Sequence, residues 1–121
     1  MIKLKNHNGE ITVSENVFAT VVGTVINNCF GVVGMAAVNA KDGLVSLLKK
    51  ENYHRGVKVS ATNGELLLEL HIIVAYGVNL SAISRSIVNE TKYAVEKKTG
   101  FKVRKVTVCI DAMKTDEEKN K

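Results

Sequence analysis

The fold is decided by the stretch Val57–Tyr76, VKVSATNGELLLELHIIVAY. Its first five residues alternate between apolar and polar, which indicates a strand. Asn63 and Gly64 then give a strong signal for a two-residue hairpin turn, because both residue types accept the positive φ angles that such a turn needs. The returning strand, Glu65–Tyr76, is apolar almost throughout its centre. We therefore expect that centre to be covered on both faces or to lie in an interface.

An apolar helix is predicted ahead of this hairpin, over residues 15–29. Ser14 can cap its first turn by accepting a hydrogen bond from a free amide, and Gly31 can end it in a left-handed conformation. The segment Val32–Val38 that follows is short, apolar and bounded by glycine, which predicts a buried strand. The apolar face of the helix is wide: Val17, Val21, Val25 and Cys29 recur every fourth residue, with Phe18, Val22 and Ile26 alongside them.

Two further helices and a last strand complete the predicted elements. A short helix is expected from Asp42 to Lys50, with its leucines facing inward, and the longest helix over residues 81–98, with Gly100 as its stop. Lys102–Ala112 alternates, which indicates the last strand, with Val103 and Lys105 on the same face. The inner stripe of the longest helix is predicted to be Ile83, Ile87, Thr91, Ala94 and Val95.

These elements predict an α+β protein in the order β-α-β-α-β-β-α-β, a two-layer sandwich in which helices cover a mixed sheet. The length of 121 residues fits one domain, which we place at residues 1–113, with a polar, flexible tail at residues 114–121. The sequence has no apolar run of about 18 residues, the minimum for a membrane span, and its N-terminus does not resemble a signal peptide. We therefore expect a cytoplasmic protein without direct membrane insertion.

Reactive side chains are sparse along the chain. Cys29 and Cys109 are expected to be reduced thiols, without a disulfide or a metal, because neither has a second ligand at a usable spacing in the sequence. His7, His54 and His71 are isolated, and no local motif indicates a Ser-His-Asp arrangement. We expect no catalytic residues, no cofactor and no metal.

The chain is basic, with a formal net charge of +5. A charge of this sign attracts RNA, anionic lipid and acidic proteins alike. Two groups of residues are candidate interaction surfaces. The first, called here the first basic group, contains Lys41, Lys49, Lys50, Tyr53, His54 and Arg55. The second basic group contains Lys97, Lys98, Lys102, Arg104 and Lys105.

RNA binding is one alternative for the second basic group. The segment Gly31–Gly34 has the GxxG spacing of a KH-type RNA-binding loop, which could add phosphate contacts. Both residues between its glycines are valines, however, and the segment leads into a predicted strand. Most charge runs of this kind are solvated faces, so nucleic acid is not the favoured partner.

Six blocks of sequence resemble the alkaline shock protein family of Gram-positive bacteria, from Gly9 to about Met113. They are GEITVS at 9–14, CFGVVGM at 29–35, KDGL at 41–44, KENYHRGV at 50–57, IIVAYG at 72–77 and VRKVTV at 103–108. The fourth block is typical of the short cytoplasmic branch of the family. The resemblance implies an α/β fold without catalytic machinery and a role in cell-envelope stress and homeostasis.

The resemblance also implies self-association and protein partners, among them a membrane-anchored protein that would bring the chain near the membrane. The favoured function is therefore a non-catalytic binding or scaffolding module for envelope homeostasis. The alternative is an RNA-binding protein that uses the basic surface around Lys97–Lys105.

Overall fold

A computed structural model of the chain describes residues 2–39 and 41–115, with only the backbone of residue 6. Its centre is strand β6, Glu65–Ala75, which is hydrogen-bonded along both edges. Strand β7, Val103–Lys114, runs parallel to β6 along one edge. Strands β5, Val57–Thr62, and β3, Val32–Val38, run antiparallel and share the other edge, β5 beside the first half of β6 and β3 beside the second. The predicted mixed sheet is confirmed.

The predicted hairpin joins β5 to β6. Its two turn residues, Asn63 and Gly64, have φ angles of 52° and 79°, as a two-residue turn of this kind requires. Thr62 pairs with Glu65 directly across the turn, and the ladder continues without a shift to the far end of β5. The turn therefore sets which side chains of the two strands share a face.

Two helices cover one face of the sheet. Helix α1 spans Glu15–Asn27 and helix α2 spans Leu80–Thr99. They pack on the even-numbered side chains of β6, and this arrangement confirms the two-layer α+β class. In the part of the chain that the structure describes, no helix covers the opposite face, called here the outer face. The side chains of β6 beneath the helices are at most 2% exposed and are Leu66, Leu68, Leu70, Ile72 and Val74.

The buried side of α1 is one part of the predicted wide apolar face. Phe18, Val22 and Ile26 of that face are fully buried, whereas Val17 is 45% exposed. The capping prediction for Ser14 is confirmed, since its hydroxyl oxygen accepts a hydrogen bond from the amide of Asn16 at 3.2 Å.

The predicted role of Gly31 as the end of α1 is wrong. The helix ends at Asn27, and Asn28 caps it in a right-handed conformation. Gly31 does have a positive φ of 87°, but it lies in the turn that leads into β3. There its carbonyl oxygen accepts a hydrogen bond from the amide of Ala75 at 2.8 Å. Gly31 therefore ties this turn to the end of β6.

The predicted helix from Asp42 to Lys50 is also wrong. The chain instead forms a short edge strand, β4, at Val45–Leu47, which pairs antiparallel with β3. A 3₁₀ helix then spans Lys50–Gly56. The last predicted residues of the short helix therefore belong to the start of this 3₁₀ helix.

A turn explains why no α-helix begins at Asp42. Its side chain accepts a hydrogen bond from the amide of Leu44 at 3.0 Å. Gly43 has a φ of 71° and donates its amide to the carbonyl of Asn39 at 2.8 Å. The left-handed backbone closes a β3–β4 hairpin, so the chain continues as the strand Val45–Leu47.

Near both ends of the described chain, more residues form strands than predicted. Strand β1, Ile2–Asn6, pairs with β2, Gly9–Val13, in a separate two-stranded sheet, whereas the predicted order has a single strand before the first helix. Lys114, predicted to begin the tail, is the last residue of β7. The remainder of the predicted tail, residues 116–121, lies outside the described residues.

The inner stripe of α2 contains a buried threonine that offers a stability test. Thr91 is fully buried, and its hydroxyl has no hydrogen-bond partner among the described residues. Replacement by valine keeps the shape and removes a polar group that has lost its water partners. We expect Thr91→Val to raise the free energy of unfolding by about 1 kcal/mol, measured by urea denaturation followed by circular dichroism.

Thr99 at the end of α2 provides the matched control. Its hydroxyl donates to the carbonyl of Val95 at 2.6 Å and accepts from the amide of Phe101 at 3.3 Å. Thr99→Val removes both bonds and should lower stability by about 1 kcal/mol. Equal changes in the free energy of unfolding of the two variants would contradict this prediction, because they would show that the two hydroxyls do not differ in hydrogen bonding.

Candidate functional site

A groove of about 420 Å³ lies between α1 and the 3₁₀ helix. Ala19, with only a methyl side chain, and Gly23, with none, lie at this side of α1, so the 3₁₀ helix can approach closely. The ring of Tyr53 packs directly on Gly23, where a Cβ atom would lie only 2.5 Å from the ring. The Tyr53 hydroxyl donates to Oδ1 of Asn27 at 3.1 Å. These contacts fix the groove's width.

The walls of the groove are polar and of mixed charge. The α1 wall carries hydroxyl and amide groups. The wall from the 3₁₀ helix carries the ammonium group of Lys50, the imidazole of His54 and the carboxylate of Glu51. The hydroxyls of Thr20 and Thr24 donate to carbonyls one turn earlier in α1, so their oxygens remain free to accept from a bound group. The polar lining comprises Asn16, Thr20, Thr24, Asn27, Asn28, Lys50, Glu51 and His54.

The structure brings together three members of the first basic group. Lys50, Tyr53 and His54 line the groove. The other three are exposed but do not line it: Lys49 precedes the 3₁₀ helix and Arg55 lies near its end, while Lys41 lies in the β3–β4 turn. There its amide donates to Oδ1 of Asn39 at 2.9 Å.

The second basic group is divided between two faces. Lys97 and Lys98 occupy the last turn of α2, where the Lys97 ammonium lies 5.5 Å from the ring centroid of Tyr93. Lys105 instead lies on the outer face of the sheet, where it lines a shallow depression together with Lys58. The remaining members, Lys102 and Arg104, are exposed around the start of β7.

A register shift at the start of β7 explains why Lys105 faces outward. Val103 pairs with Leu66 and Lys105 pairs with Leu67, so Arg104 is an extra residue in the ladder. Val103 therefore faces the core, while Lys105 faces outward. The prediction that Val103 and Lys105 share a face is wrong, because simple alternation does not hold across a bulge.

Side-chain packing explains both glycines of the GxxG segment. A Cβ atom at Gly31 would lie 2.7 Å from the side chain of Val78, and one at Gly34 would lie 2.9 Å from that of Leu47. Gly34 is also part of strand β3. Both positions are thus small because of their neighbours within the chain, which weakens the RNA-loop interpretation.

Four side chains that are isolated along the sequence lie together on the outer face. In the ring of His71, Nδ1 is 2.9 Å from Oδ2 of Asp111 and Nε2 is 2.9 Å from Oε2 of Glu69. Cys109 is the register partner of His71 on β7. A carboxylate oxygen, a ring nitrogen and the sulfur of Glu69, His71 and Cys109 lie within 4.8 Å of one another. Along the sequence no second ligand stands at a usable spacing from Cys109. In the folded chain, however, His71 and Glu69 lie beside it as potential ligands.

The charges in this cluster shift one another's pKa values. Burial alone would lower the pKa of His71, but its hydrogen bonds to Glu69 and Asp111 outweigh burial, and the pKa of His71 is raised. The hydrogen bond with His71 lowers the pKa of Glu69 against the opposing effect of burial, and Lys58 at 3.6 Å contributes in the same direction. Burial raises the pKa of Cys109, and the charges of Glu69 and Asp111 add to this effect.

The sequence contained part of the signal for this cluster. Strand alternation places Glu69 and His71 on one face of β6, and Cys109 and Asp111 on one face of β7. The missing information was the parallel register, which sets His71 opposite Cys109.

Comparison of the sequence with known proteins shows which family the chain belongs to. Residues 3–115 match the model of the alkaline shock protein 23 family, which is described by a cell envelope-related function. The chain belongs to this family. The predicted resemblance is thereby confirmed over nearly the whole chain.

Two relatives of similar length are known by name only. This family member is 35% identical over 114 residues to YloU of Bacillus subtilis, with 93% of this chain and 95% of YloU covered. It is 38% identical over 114 residues to Spy1614 of Streptococcus pyogenes serotype M6, with 93% of this chain and 94% of that protein covered.

A more distant relative carries a functional name. The stress response regulator gls24 homolog of Streptococcus pyogenes serotype M3 is 27% identical over 113 residues, which are 91% of this chain and 62% of that protein. No solved structure matches the chain. Among the described residues, no helix is both long and apolar enough to cross a bilayer.

The contact between Tyr53 and Gly23 gives a test of the groove. Alanine is the better helix former by about 0.5–1 kcal/mol, yet a methyl group at position 23 would clash with the Tyr53 ring. We expect Gly23→Ala to lower the free energy of unfolding by about 1–3 kcal/mol, measured by urea denaturation.

A double-mutant cycle separates the clash from the helix propensity. In a Tyr53→Ala background the ring is absent, so Gly23→Ala should stabilise the chain by about 0.5–1 kcal/mol. The sign of the Gly23→Ala effect is thus expected to invert between the two backgrounds. The same sign in both would place the Tyr53 ring elsewhere.

Proposed function

We propose that this chain is a non-catalytic, cytoplasmic protein-binding module of the cell-envelope stress response, and that it contacts a protein partner through the groove between α1 and the 3₁₀ helix. The observation that carries the proposal is the position of the family-typical block KENYHRG. This block forms the 3₁₀ helix, where Tyr53 fixes the groove and the side chains of Lys50 and His54 remain exposed along it.

The chemistry of the groove favours a polypeptide over a nucleic acid. Glu51 lines the groove together with Lys50, so a phosphate backbone would meet a repelling carboxylate near the Lys50 ammonium group. The face of Tyr53 is packed on Gly23, which makes its ring a poor platform for base stacking. Peptide groups and polar side chains, in contrast, match the hydroxyl, amide and charged groups of both walls.

The biological context of the proposal comes from the family. Its description is cell envelope-related, and one relative is named a stress response regulator homolog. Neither description names a reaction, which supports a role in binding. We propose that a membrane-anchored partner brings the module close to the envelope, and that copies of the chain also associate with one another.

Site-specific crosslinking tests the proposal in intact cells. Glu51 is replaced by a photoreactive benzoylphenylalanine, and the crosslinked products are identified by mass spectrometry. We expect a protein of the cell envelope to be crosslinked. A second substitution, Thr20→Arg, fills the groove from the α1 wall and should reduce that product at least fivefold.

The matched control is Asn89→Arg, which adds the same side chain at an exposed position of α2. It should leave the crosslinking yield unchanged. Equal yields in the Thr20→Arg and Asn89→Arg proteins would contradict binding in the groove, and so would the absence of any protein product.

The RNA-binding alternative makes a different prediction. It requires an affinity for RNA that falls steeply with salt concentration. It also requires that charge reversal at Lys97, Lys98 and Lys102 abolish that affinity while Thr20→Arg leaves it intact. A filter-binding titration at several salt concentrations distinguishes this behaviour from binding in the groove.

A further inference from the structure

The cluster on the outer face contains the three side-chain types that bind zinc-like metal ions most often. Zinc takes cysteine sulfur, histidine nitrogen and carboxylate oxygen as ligands, and Cys109, His71 and Glu69 supply one of each within 4.8 Å. Calcium and magnesium prefer sites made of oxygen alone. The mixture of sulfur, nitrogen and oxygen therefore indicates a divalent transition metal.

Asp111 is placed to orient the ring of His71, as a carboxylate does for a metal-binding histidine. Metal-binding histidines generally bind through one ring nitrogen and donate a hydrogen bond from the other to a carboxylate. Here Nδ1 of His71 lies 2.9 Å from Oδ2 of Asp111, while Nε2 faces Glu69. The contact with Asp111 fixes the ring so that Nε2 points toward Glu69.

The backbone holds the cluster firmly. Glu69 and His71 are two residues apart on β6, and His71 lies directly opposite Cys109 on β7. The neighbouring register pairs on each side are intact from Leu67 to Ile72. The site is thus built on two hydrogen-bonded strands, whose relative positions do not depend on a loop.

Binding of a metal requires side-chain movements of up to about 1.5 Å in the cluster, because the three ligand atoms lie within 4.8 Å of one another. Ligand atoms around one tetrahedral zinc ion lie about 3.3–3.7 Å apart, given bond lengths of about 2.0–2.3 Å. The separation of 2.9 Å between His71 Nε2 and Glu69 Oε2 would have to increase by about half an ångström to reach that range. Lys58, which contacts Glu69 at 3.6 Å, has a side chain that is 74% exposed and is free to turn away.

We propose that Glu69, His71 and Cys109 bind one divalent transition metal ion of the zinc class on the outer face of the sheet, with Asp111 as the residue that orients His71. Binding releases to solvent the proton between His71 Nε2 and Glu69 and the thiol proton of Cys109, so that a neutral imidazole, a carboxylate and a thiolate hold the ion. One carboxylate and one thiolate balance its two charges. The site joins β6 to β7 on the face opposite the helices, so it is independent of the groove and of the function proposed for it.

The test uses the full chain, stripped of metal by a chelator and kept reduced. Titration with cobalt(II) should produce a thiolate-to-cobalt charge-transfer band that saturates at one equivalent. Zinc(II), added afterwards, should displace the cobalt and abolish the band. Zinc should also raise the melting temperature of the chain by several degrees, because a ligand that binds only the folded state stabilises it.

Two cysteine variants form a matched pair. Cys109→Ser should abolish the charge-transfer band and weaken zinc binding at least tenfold in calorimetry. Cys29→Ser should leave both unchanged, because Cys29 is equally a free, half-buried thiol but lies between α1 and β3. Asp111→Ala should weaken zinc binding about 10–100-fold through loss of the ring's orientation. Circular dichroism of each metal-free variant establishes that it is folded.

Three results would overturn the proposal. One is the absence of any cobalt band or zinc-dependent shift in melting temperature, which would leave the cluster as a histidine held between two carboxylates. Another is zinc binding of the same strength in the folded Cys109→Ser and His71→Gln proteins, which would place the metal on oxygen ligands elsewhere. The third is a band that disappears with Cys29→Ser instead.

Discussion

The structure depends on the burial of one face of strand β6 while both edges of that strand are paired. Five aliphatic side chains of β6 lie beneath the two helices and are almost inaccessible to water. Each removes apolar surface from water, and the full burial of one such side chain is worth about 1.5–3 kcal/mol. The parallel partner on one edge and the two antiparallel partners on the other then satisfy the backbone groups of the buried strand. Loss of pairing along either edge would leave polar backbone groups unpaired in an apolar layer.

The parts of the fold that follow from local chemistry are predictable from sequence. The turn at Asn63 and Gly64, the Ser14 cap of α1 and the stop at Gly100 each depend on one or two residues. The inner stripe of α2 is also correct at Ile83, Ile87 and Thr91, because helical periodicity over 20 residues leaves little ambiguity.

The segment after Asn39 was predicted incorrectly for a physical reason. Leu44, Val45, Leu47 and Leu48 fit an amphipathic helix and an edge strand about equally, since the run is too short for periodicity to decide. The hydrogen bond from the Leu44 amide to the side chain of Asp42 then favours a turn over a helix start. A local contact of this kind competes with helix formation.

The cluster around His71 could be predicted only in part from the sequence, for another reason. Which residues face one another across two parallel strands depends on register, and the register of β6 and β7 contains shifts near both ends. No local property of Cys109 or Asp111 reports the position of a histidine some 40 residues earlier. The groove could not be predicted from the sequence for the same reason. The polar side of α1 becomes a wall of the groove only because the 3₁₀ helix packs against it.

The two surfaces with distinctive chemistry lie on opposite sides of the sheet. The groove is formed on the helical side from α1 and the 3₁₀ helix, and the histidine–carboxylate–thiol cluster lies on the side without helices. The positive charge of the chain is spread over both sides, since Lys97 and Lys105 are separated by the bulge at Arg104. A single large cationic surface is therefore not the feature that characterises this protein.

The way in which β3 and β5 divide one edge of β6 has an evolutionary consequence. The chain leaves that edge after β3, forms β4 and the 3₁₀ helix, and returns to the same edge at β5, beside the place it left. The whole excursion is thus a closed detour whose two ends are anchored next to each other. Leu48 and Gly56 within the detour are buried, so the positions that can change one wall of the groove without affecting the core are exposed ones such as Lys50 and His54. That wall can therefore vary in sequence while the paired strands around β6 stay the same.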